Sequence, residues 1–249
     1  MIHIPVLLNE VVKFFDPKEG DRFVDATAGE GGHTKALKES GGDVISIDMN
    51  PRKGFIKKGN FRDIDKFVSG KVKGILFDLG MSSWNIDNSE KGFSFQKDEE
   101  LDMRFGDEGI TAKEILNDSS KEKLERIFKE YGEERSAKQI AECILKVRPI
   151  ETTTELNECL FSVKTKARIY QALRIEVNNE LDNVLGGVSK AMELADRVAV
   201  ITYHSLEDRI VKNLFKNRLL IRPSSEEVEE NPRARSAKLR LWVKEDTKE

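Results

Sequence analysis

Phe23-Val24-Asp25-Ala26-Thr27-Ala28-Gly29-Glu30-Gly31-Gly32-His33 joins a short apolar run to an acid and then to a glycine-rich turn. The pattern predicts a buried strand ending at Asp25. The three glycines remove side chains where the chain turns into a helix, so backbone amides there can approach a ligand closely. The Gly-x-Gly-Gly spacing lacks the third glycine of the dinucleotide fingerprint, because Thr34 occupies that place, which argues against NAD and its pyrophosphate. By itself the turn is compatible with several nucleotide cofactors.

Reading outward, Val44-Ile45-Ser46-Ile47 is a second apolar run closed by Asp48, 23 residues after Asp25. An acid in that place can accept both ribose hydroxyls of an adenosine. A third run, Gly74-Ile75-Leu76-Phe77, is closed by Asp78. Three acids at three strand ends would line the carboxyl edge of a sheet, where open α/β sheets bind ligands, and carboxylates also suit a positively charged sulfonium. The set favours S-adenosylmethionine over NAD. The competing reading is that Asp25 and Asp78 only cap turns or helices.

Further runs at Val198-Ala199-Val200-Ile201 and Leu219-Leu220-Ile221 also read as buried parallel strands, with helical patterns between several of them. The fold class expected is α/β, a Rossmann-like sheet with an inserted helical domain. In the last strand Leu239, Leu241 and Val243 alternate with Arg240, Trp242 and Lys244, which predicts one buried and one wet face, as in an antiparallel edge or hairpin strand. Nearly 120 residues separate Asp78 from the strand near 197, far more than a simple crossover needs. Residues 99–175 are therefore assigned to the insertion, and 1–98 with 176–249 to the core. Leu124, Ile127, Phe128 and Tyr131 mark one helix of the insertion, and Ala137, Ile140, Ala141, Ile144 and Leu145 another. Thr152 to Glu155 offers a further helix start, and Asn178–Leu194 reads as a sheet-covering helix. The segment from Pro223 to Arg235 is polar and reads as a long loop.

At 249 residues with 38% hydrophobic content the chain can build a real core, and it has no run of eighteen apolar residues. A cytoplasmic protein without a membrane span is expected. Three scattered histidines and two cysteines match neither a zinc site nor a disulfide framework, so no metal is expected, and Cys143 reads as core packing. The net charge of −3 excludes a uniformly basic nucleic-acid wrapper. Yet Arg209 to Lys244 carries ten basic residues against four acids, which reads either as a phosphate-facing tail or as a solvated surface.

The pieces His3-Ile4-Pro5-Val6-Leu7-Leu8, Asp25 to His33, Asp78-Leu79-Gly80-Met81-Ser82-Ser83, Gly92-Phe93-Ser94-Phe95, Leu101-Asp102-Met103-Arg104, Tyr131-Gly132-Glu133-Glu134-Arg135, Gln171-Ala172-Leu173-Arg174, Val177-Asn178, His204-Ser205-Leu206-Glu207-Asp208-Arg209 and Asn231-Pro232-Arg233-Ala234-Arg235-Ser236 occur in that order. Together they resemble the bacterial RsmH family, also called MraW, over nearly the whole chain. The resemblance implies a Rossmann-like class I methyltransferase sheet and a methyltransferase acting on the N4 amine of a cytosine in small-subunit ribosomal RNA, near the decoding centre. Its partners would be that RNA and the small ribosomal subunit, and a homodimer is left open. It implies cofactor contacts at Gly31, Gly32, His33, Asp48, Phe61, Asp78 and Asn85. The chain departs from the family pattern at the short Pro51–Gly59 stretch, at Trp84-Asn85 where the family has Pro-Gln, and at Glu100 where it has proline.

Methyl transfer to a delocalised amine needs the amine placed in line with the methyl and its protons accepted by nearby oxygens, which makes Asp78 or backbone carbonyls of the loop after it the candidates for holding the amine; Asp78 is named as the catalytic-site residue without being assigned as general base. The base must be extruded or single-stranded, and Trp84 or Phe93 could receive it unless they are packing residues. Phe61 could lie on the adenine or belong to the core. His33 is read as a contact through its backbone. Ser205 with Asp208 reads as a helix start. His204, Glu207 and Arg209 are substrate-side candidates through the resemblance, and Arg174, Arg233 and Arg235, with Lys238 and Arg240, could bind phosphate. Two other functions stay open at this point: a noncatalytic assembly factor that keeps cofactor binding, and a nicotinamide-dependent oxidoreductase.

Overall fold

The computed structural model describes residues 4–80, 90–216 and 219–245. The chain divides into two units, one of Met1–Gly80 with Leu181–Glu249 and one of Met81–Glu180. The boundaries thus fall at 80/81 and 180/181, whereas the sequence reading drew them at 98/99 and 175/176. Residues between 90 and 99 go with the helices because Phe93 is buried in their core and the Glu99 N–H donates to Thr153 Oγ1 at 3.1 Å.

The first unit is an α/β sheet. Among the described residues its strands are β1 (Arg22–Asp25), β2 (Asp43–Asp48), β3 (Ile56–Lys58), β4 (Val72–Asp78), β5 (Ala195–Thr202), β6 (Leu220–Ile221) and β7 (Lys238–Val243), in the order β3-β2-β1-β4-β5-β7-β6. Strands β1 to β5 run parallel, and β7 is antiparallel to both neighbours. Successive side chains leave opposite faces of a strand, and both faces are apolar here. Val24, Ile75, Phe77, Val198 and Val200 pack with Val184 and Val188 on one side, while Phe23, Leu76, Ala199 and Ile201 pack with Val11, Phe15 and Leu37 on the other. The covering helices α1 (Leu8–Phe15) and α2 (Gly32–Glu39) precede those of the second unit.

Two strand assignments need correction. Leu219 to Ile221 is not a buried parallel strand but a two-residue antiparallel edge, with Leu219 62% exposed. Nor does β7 have a wet face at its centre, since Arg240 is only 5% exposed and gives its Nε–H to Asp208 Oδ1 at 2.6 Å. β6 supplies the edge in its place, which leaves β7 interior.

The second unit is helical: α3 (Ala112–Asp118), α4 (Lys121–Glu130), α5 (Ala137–Val147), α6 (Thr153–Asn157) and α7 (Val163–Asn178). Thr152 and Glu155 close a reciprocal cap on α6, as their spacing predicts. Leu124, Ile127, Phe128, Ile140, Ile144, Ile169 and Leu173 form the core. Cys143 is not simple packing, because it forms a disulfide with Cys159, their Cα atoms 5.7 Å apart. Sixteen positions of separation place one cysteine on α5 and the other just after α6, a proximity that no local spacing rule reveals.

After the left-handed Asn179 the chain re-enters the sheet unit through α8 (Glu180–Leu194). It continues through α9 (Ser205–Leu214) and α10 (Ser225–Glu230). The long loop expected from Pro223 to Arg235 is therefore largely helical. Ser224 caps α10 by accepting the Glu227 N–H, and a 3₁₀ turn follows over Pro232–Ser236. The polarity of that segment arises because no residue of α10 is buried, not because helix is absent. Among the described residues no helix is long and apolar enough to cross a membrane.

Candidate functional site

Gly29 and Gly31 take the left-handed conformation, with φ of 52° and 82°. The second is the N-cap of α2, so the turn ends at a helix N-terminus with free amides. A Cβ at Gly31 would sit 2.9 Å from Phe55 Cζ, so the glycine is needed for space as well as for backbone angle. Phe55 was missed in the sequence. It is 53% exposed, its ring faces the turn, and Lys38 Nζ lies 5.3 Å from the ring centre. A lone aromatic in a stretch rich in lysine and glycine was the only available signal.

The three acids do different work. Asp25 is 1% exposed and is spent internally, accepting the Thr34 hydroxyl at 2.6 Å, while that hydroxyl also meets Ser46 Oγ at 2.9 Å. Burial pushes the Asp25 carboxyl above its usual range, against the opposing pull of His33 and the Thr34 hydroxyl. Asp25 is thus a structural acid beneath the turn, as the competing reading had it. Asp48 closes β2 and accepts N–H bonds from Gly29 and Asn50, each at 2.8 Å, which tie the turn to the second strand. Asp78 closes β4, its N–H donating to Thr27 Oγ1 at 2.6 Å, and its Oδ1 accepts the Tyr203 hydroxyl at 2.8 Å.

His33 is buried, with Nε2 3.0 Å from the Val6 carbonyl and Nδ1 3.8 Å from Asp78 Oδ2. Its ring therefore reaches the Asp78 carboxylate, beyond the backbone contact expected of it. Gly32 opens α2 beside it. Phe61 opens a 3₁₀ turn and packs edge-on to Phe77 with centroids 5.6 Å apart, a partly buried core neighbour. Trp84 and Asn85 lie outside the described residues.

The substrate-side candidates are scattered. Phe93 is buried and stacks on Phe105 inside the helical unit, so its ring is spent on packing. Arg174 grips Glu180 with two bonds of 2.7 and 3.0 Å. His204, not Ser205, is the N-cap of α9. Its Nδ1 accepts the Glu207 N–H, and Glu207 Oε2 accepts the N–H groups of Tyr203 and His204. Asp208, one turn on, holds Arg240 and Lys238, at 2.6 and 2.9 Å, instead of capping the helix. Those two cations are thereby removed from the basic tail, while Arg209, Arg233 and Arg235 remain on the surface.

An antiparallel last strand distinguishes this sheet from the all-parallel dinucleotide-binding kind and gives it the Rossmann-like form of the class I methyltransferases. The chain belongs to the MraW methylase family, whose model matches residues 1–220. It is 40% identical to a Persephonella marina protein named Ribosomal RNA small subunit methyltransferase H, over 96% of this chain and 98% of that one. A protein of the same name from Thermotoga neapolitana is 41% identical, covering 96% of this chain and 94% of its own.

Proposed function

We propose that the protein transfers a methyl group from S-adenosylmethionine to the N4 amine of a cytosine in small-subunit ribosomal RNA near the decoding centre. The observation that carries this reading is the glycine-rich turn at Gly29–Gly32, set between Asp48 and Asp78 at the carboxyl edge of neighbouring strands. The ribosomal substrate is supported by the names of relatives that align over nearly their whole length. The N4 amine and the decoding centre rest on the motif resemblance. A ribosomal substrate implies work in the cytoplasm.

The residues present fit the cofactor. The amides of Gly32 and His33 at the start of α2 would take its carboxylate, with Gly31 leaving room for it while its own N–H is given to the Ala28 carbonyl at 2.6 Å, and Asp48 has lone pairs left for ribose hydroxyls after accepting two amides. When bound, the cofactor supplies an electrophilic methyl group on a sulfonium. Asp78 offers an oxygen to an amine N–H, which orients the nucleophile and accepts positive charge as the bond forms. His33, beside Asp78 Oδ2, adds a second group able to share a proton.

Calorimetry with S-adenosylmethionine and with NADH, followed by transfer of labelled methyl to undermethylated small subunits, tests the reading. Binding of the methyl donor with incorporation into the RNA is expected. Binding of NADH alone would replace it with an oxidoreductase, and tight donor binding without incorporation would replace it with a noncatalytic assembly role.

A further inference from the structure

Tyr203 follows β5 immediately, and its ring lies over Gly80, two residues beyond the end of β4. A Cβ on Gly80 would meet Tyr203 Cε2 at 2.6 Å and Cζ at 2.9 Å, so the bare backbone at 80 makes room for the ring. The phenol passes over that gap and donates to Asp78 Oδ1 at 2.8 Å. The backbone behind it is also fixed, since the Tyr203 N–H donates to Glu207 Oε2 at 3.0 Å in the cap of α9. Asp78 is thus gripped from the neighbouring strand by a rigid side chain, and its other oxygen is turned to His33 Nδ1, 3.8 Å away.

The imidazole is fixed in the same way from its far side. Val6 O is a carbonyl and can only accept, so the 3.0 Å contact makes His33 Nε2 the protonated nitrogen of the neutral ring. Nδ1 then faces Asp78 Oδ2 bare, 3.8 Å away. With Oδ1 held by the phenol the carboxylate is fixed in orientation, and Oδ2 stays on the His33 side.

We propose that Tyr203 is the positioning residue of this site, its hydroxyl locking the Asp78 carboxylate so that Oδ2 is presented between His33 and the substrate amine. The inference rests on the methyltransferase reading for its kinetic consequence, but not for the lock itself. Burial, and then the neighbouring Asp78 carboxylate, push the Tyr203 phenol well above its usual pKa, so it stays a donor wherever the protein is folded. The titratable groups facing Asp78 are His33 from α2, Asp25 from β1 and Tyr203 after β5, with Glu207 and Glu227 acting on the phenol.

Tyr203→Phe keeps the ring over Gly80 and deletes only the hydroxyl. Methyl transfer should fall about tenfold in kcat, with KM for the donor changed far less, the loss expected for one hydrogen bond to a charged group. Gly80→Ala, which drives the ring away while keeping the hydroxyl, should reproduce the kcat loss. The carbon-13 chemical shift of the Asp78 carboxyl, read at pH 7 without turnover, should change between wild type and Tyr203→Phe, because the hydrogen bond from the phenol is gone. An unchanged carboxyl signal overturns the inference whatever the wild-type enzyme does. A changed signal with unchanged kcat overturns the positioning role, while an inactive wild type counts against the methyltransferase reading instead.

Discussion

Asp208→Asn should cost the protein about 3 to 5 kcal/mol, the loss expected when one partner of a buried ion pair is removed and the other is left uncompensated. Arg240 is the residue stranded: it lies at the centre of β7, 5% exposed, with its Nε–H on Asp208 Oδ1 at 2.6 Å. Lys238, which shares the carboxylate at 2.9 Å, is nearer solvent and can rehydrate. At roughly 2 to 4 °C per kcal/mol for a protein of this size, the melting temperature should fall by about 6 to 20 °C. Thermal unfolding at pH 7, followed by circular dichroism, measures it for Asp208→Asn, Arg240→Met and the double variant. The double variant should recover most of the loss, since it buries no unpaired charge. Burial alone would raise the Asp208 carboxyl, but hydrogen bonds and charge from Arg240 and Lys238 outweigh it and hold the group below its usual range. A carboxyl lowered by folding contributes stability above its unfolded pKa of about 4. That contribution is lost as the pH falls through the lower folded value, so the wild type should lose an acid-sensitive increment that Asp208→Asn lacks. A cost under about 1 kcal/mol, or a double variant no more stable than the single, would refute the argument.

Asp48→Ala should weaken S-adenosylmethionine binding at least tenfold, about 1.4 kcal/mol, and an unchanged calorimetric affinity would remove Asp48 from the cofactor site. Reduction, or Cys159→Ser, opens the Cys143–Cys159 link, and closing a loop of about 15 residues is worth about 3 kcal/mol, so the midpoint of thermal unfolding should drop. A melting curve insensitive to reductant would show that the helical unit does not need the link. Arg235→Ala should weaken RNA binding and lower the magnitude of the salt slope by about 0.7, the value for one phosphate contact on a single strand. An identical slope would assign Arg235 to solvated surface.

Much of the sheet was legible because its central strands are short apolar runs closed by acids, as in Gly74 to Asp78. Burial on both faces leaves nothing but such a run. The far edge was not legible, because a strand of two residues is too short for periodicity and the partner of Arg240 sits on a helix 32 positions away. Pro223 to Arg235 misled for a related reason: α10 buries no residue, so it has no apolar stripe to announce it. Within the candidate site, Asp48 and Asp78 could be read from their place at strand ends. Whether an acid faces a ligand or is consumed beneath the turn depends on Thr34 and Ser46, and those contacts form only once two strands and a helix have met. Tyr203 carried no motif of its own, and its role came from Gly80 on the adjacent strand end.

The pairing of β4 with β5 joins residues more than a hundred positions apart, with the entire helical unit between them. On a translating ribosome this becomes a matter of time. At about 5 to 20 residues per second, β4 emerges roughly 5 to 25 s before its neighbour, and Ile75, Leu76 and Phe77 wait with one strand edge unpaired. A nascent chain halted before Ala195 should therefore display an aggregation-prone edge that the finished protein never shows. Because Asp78 lies on β4 and Tyr203 beyond β5, the site is among the last features of the molecule to be born.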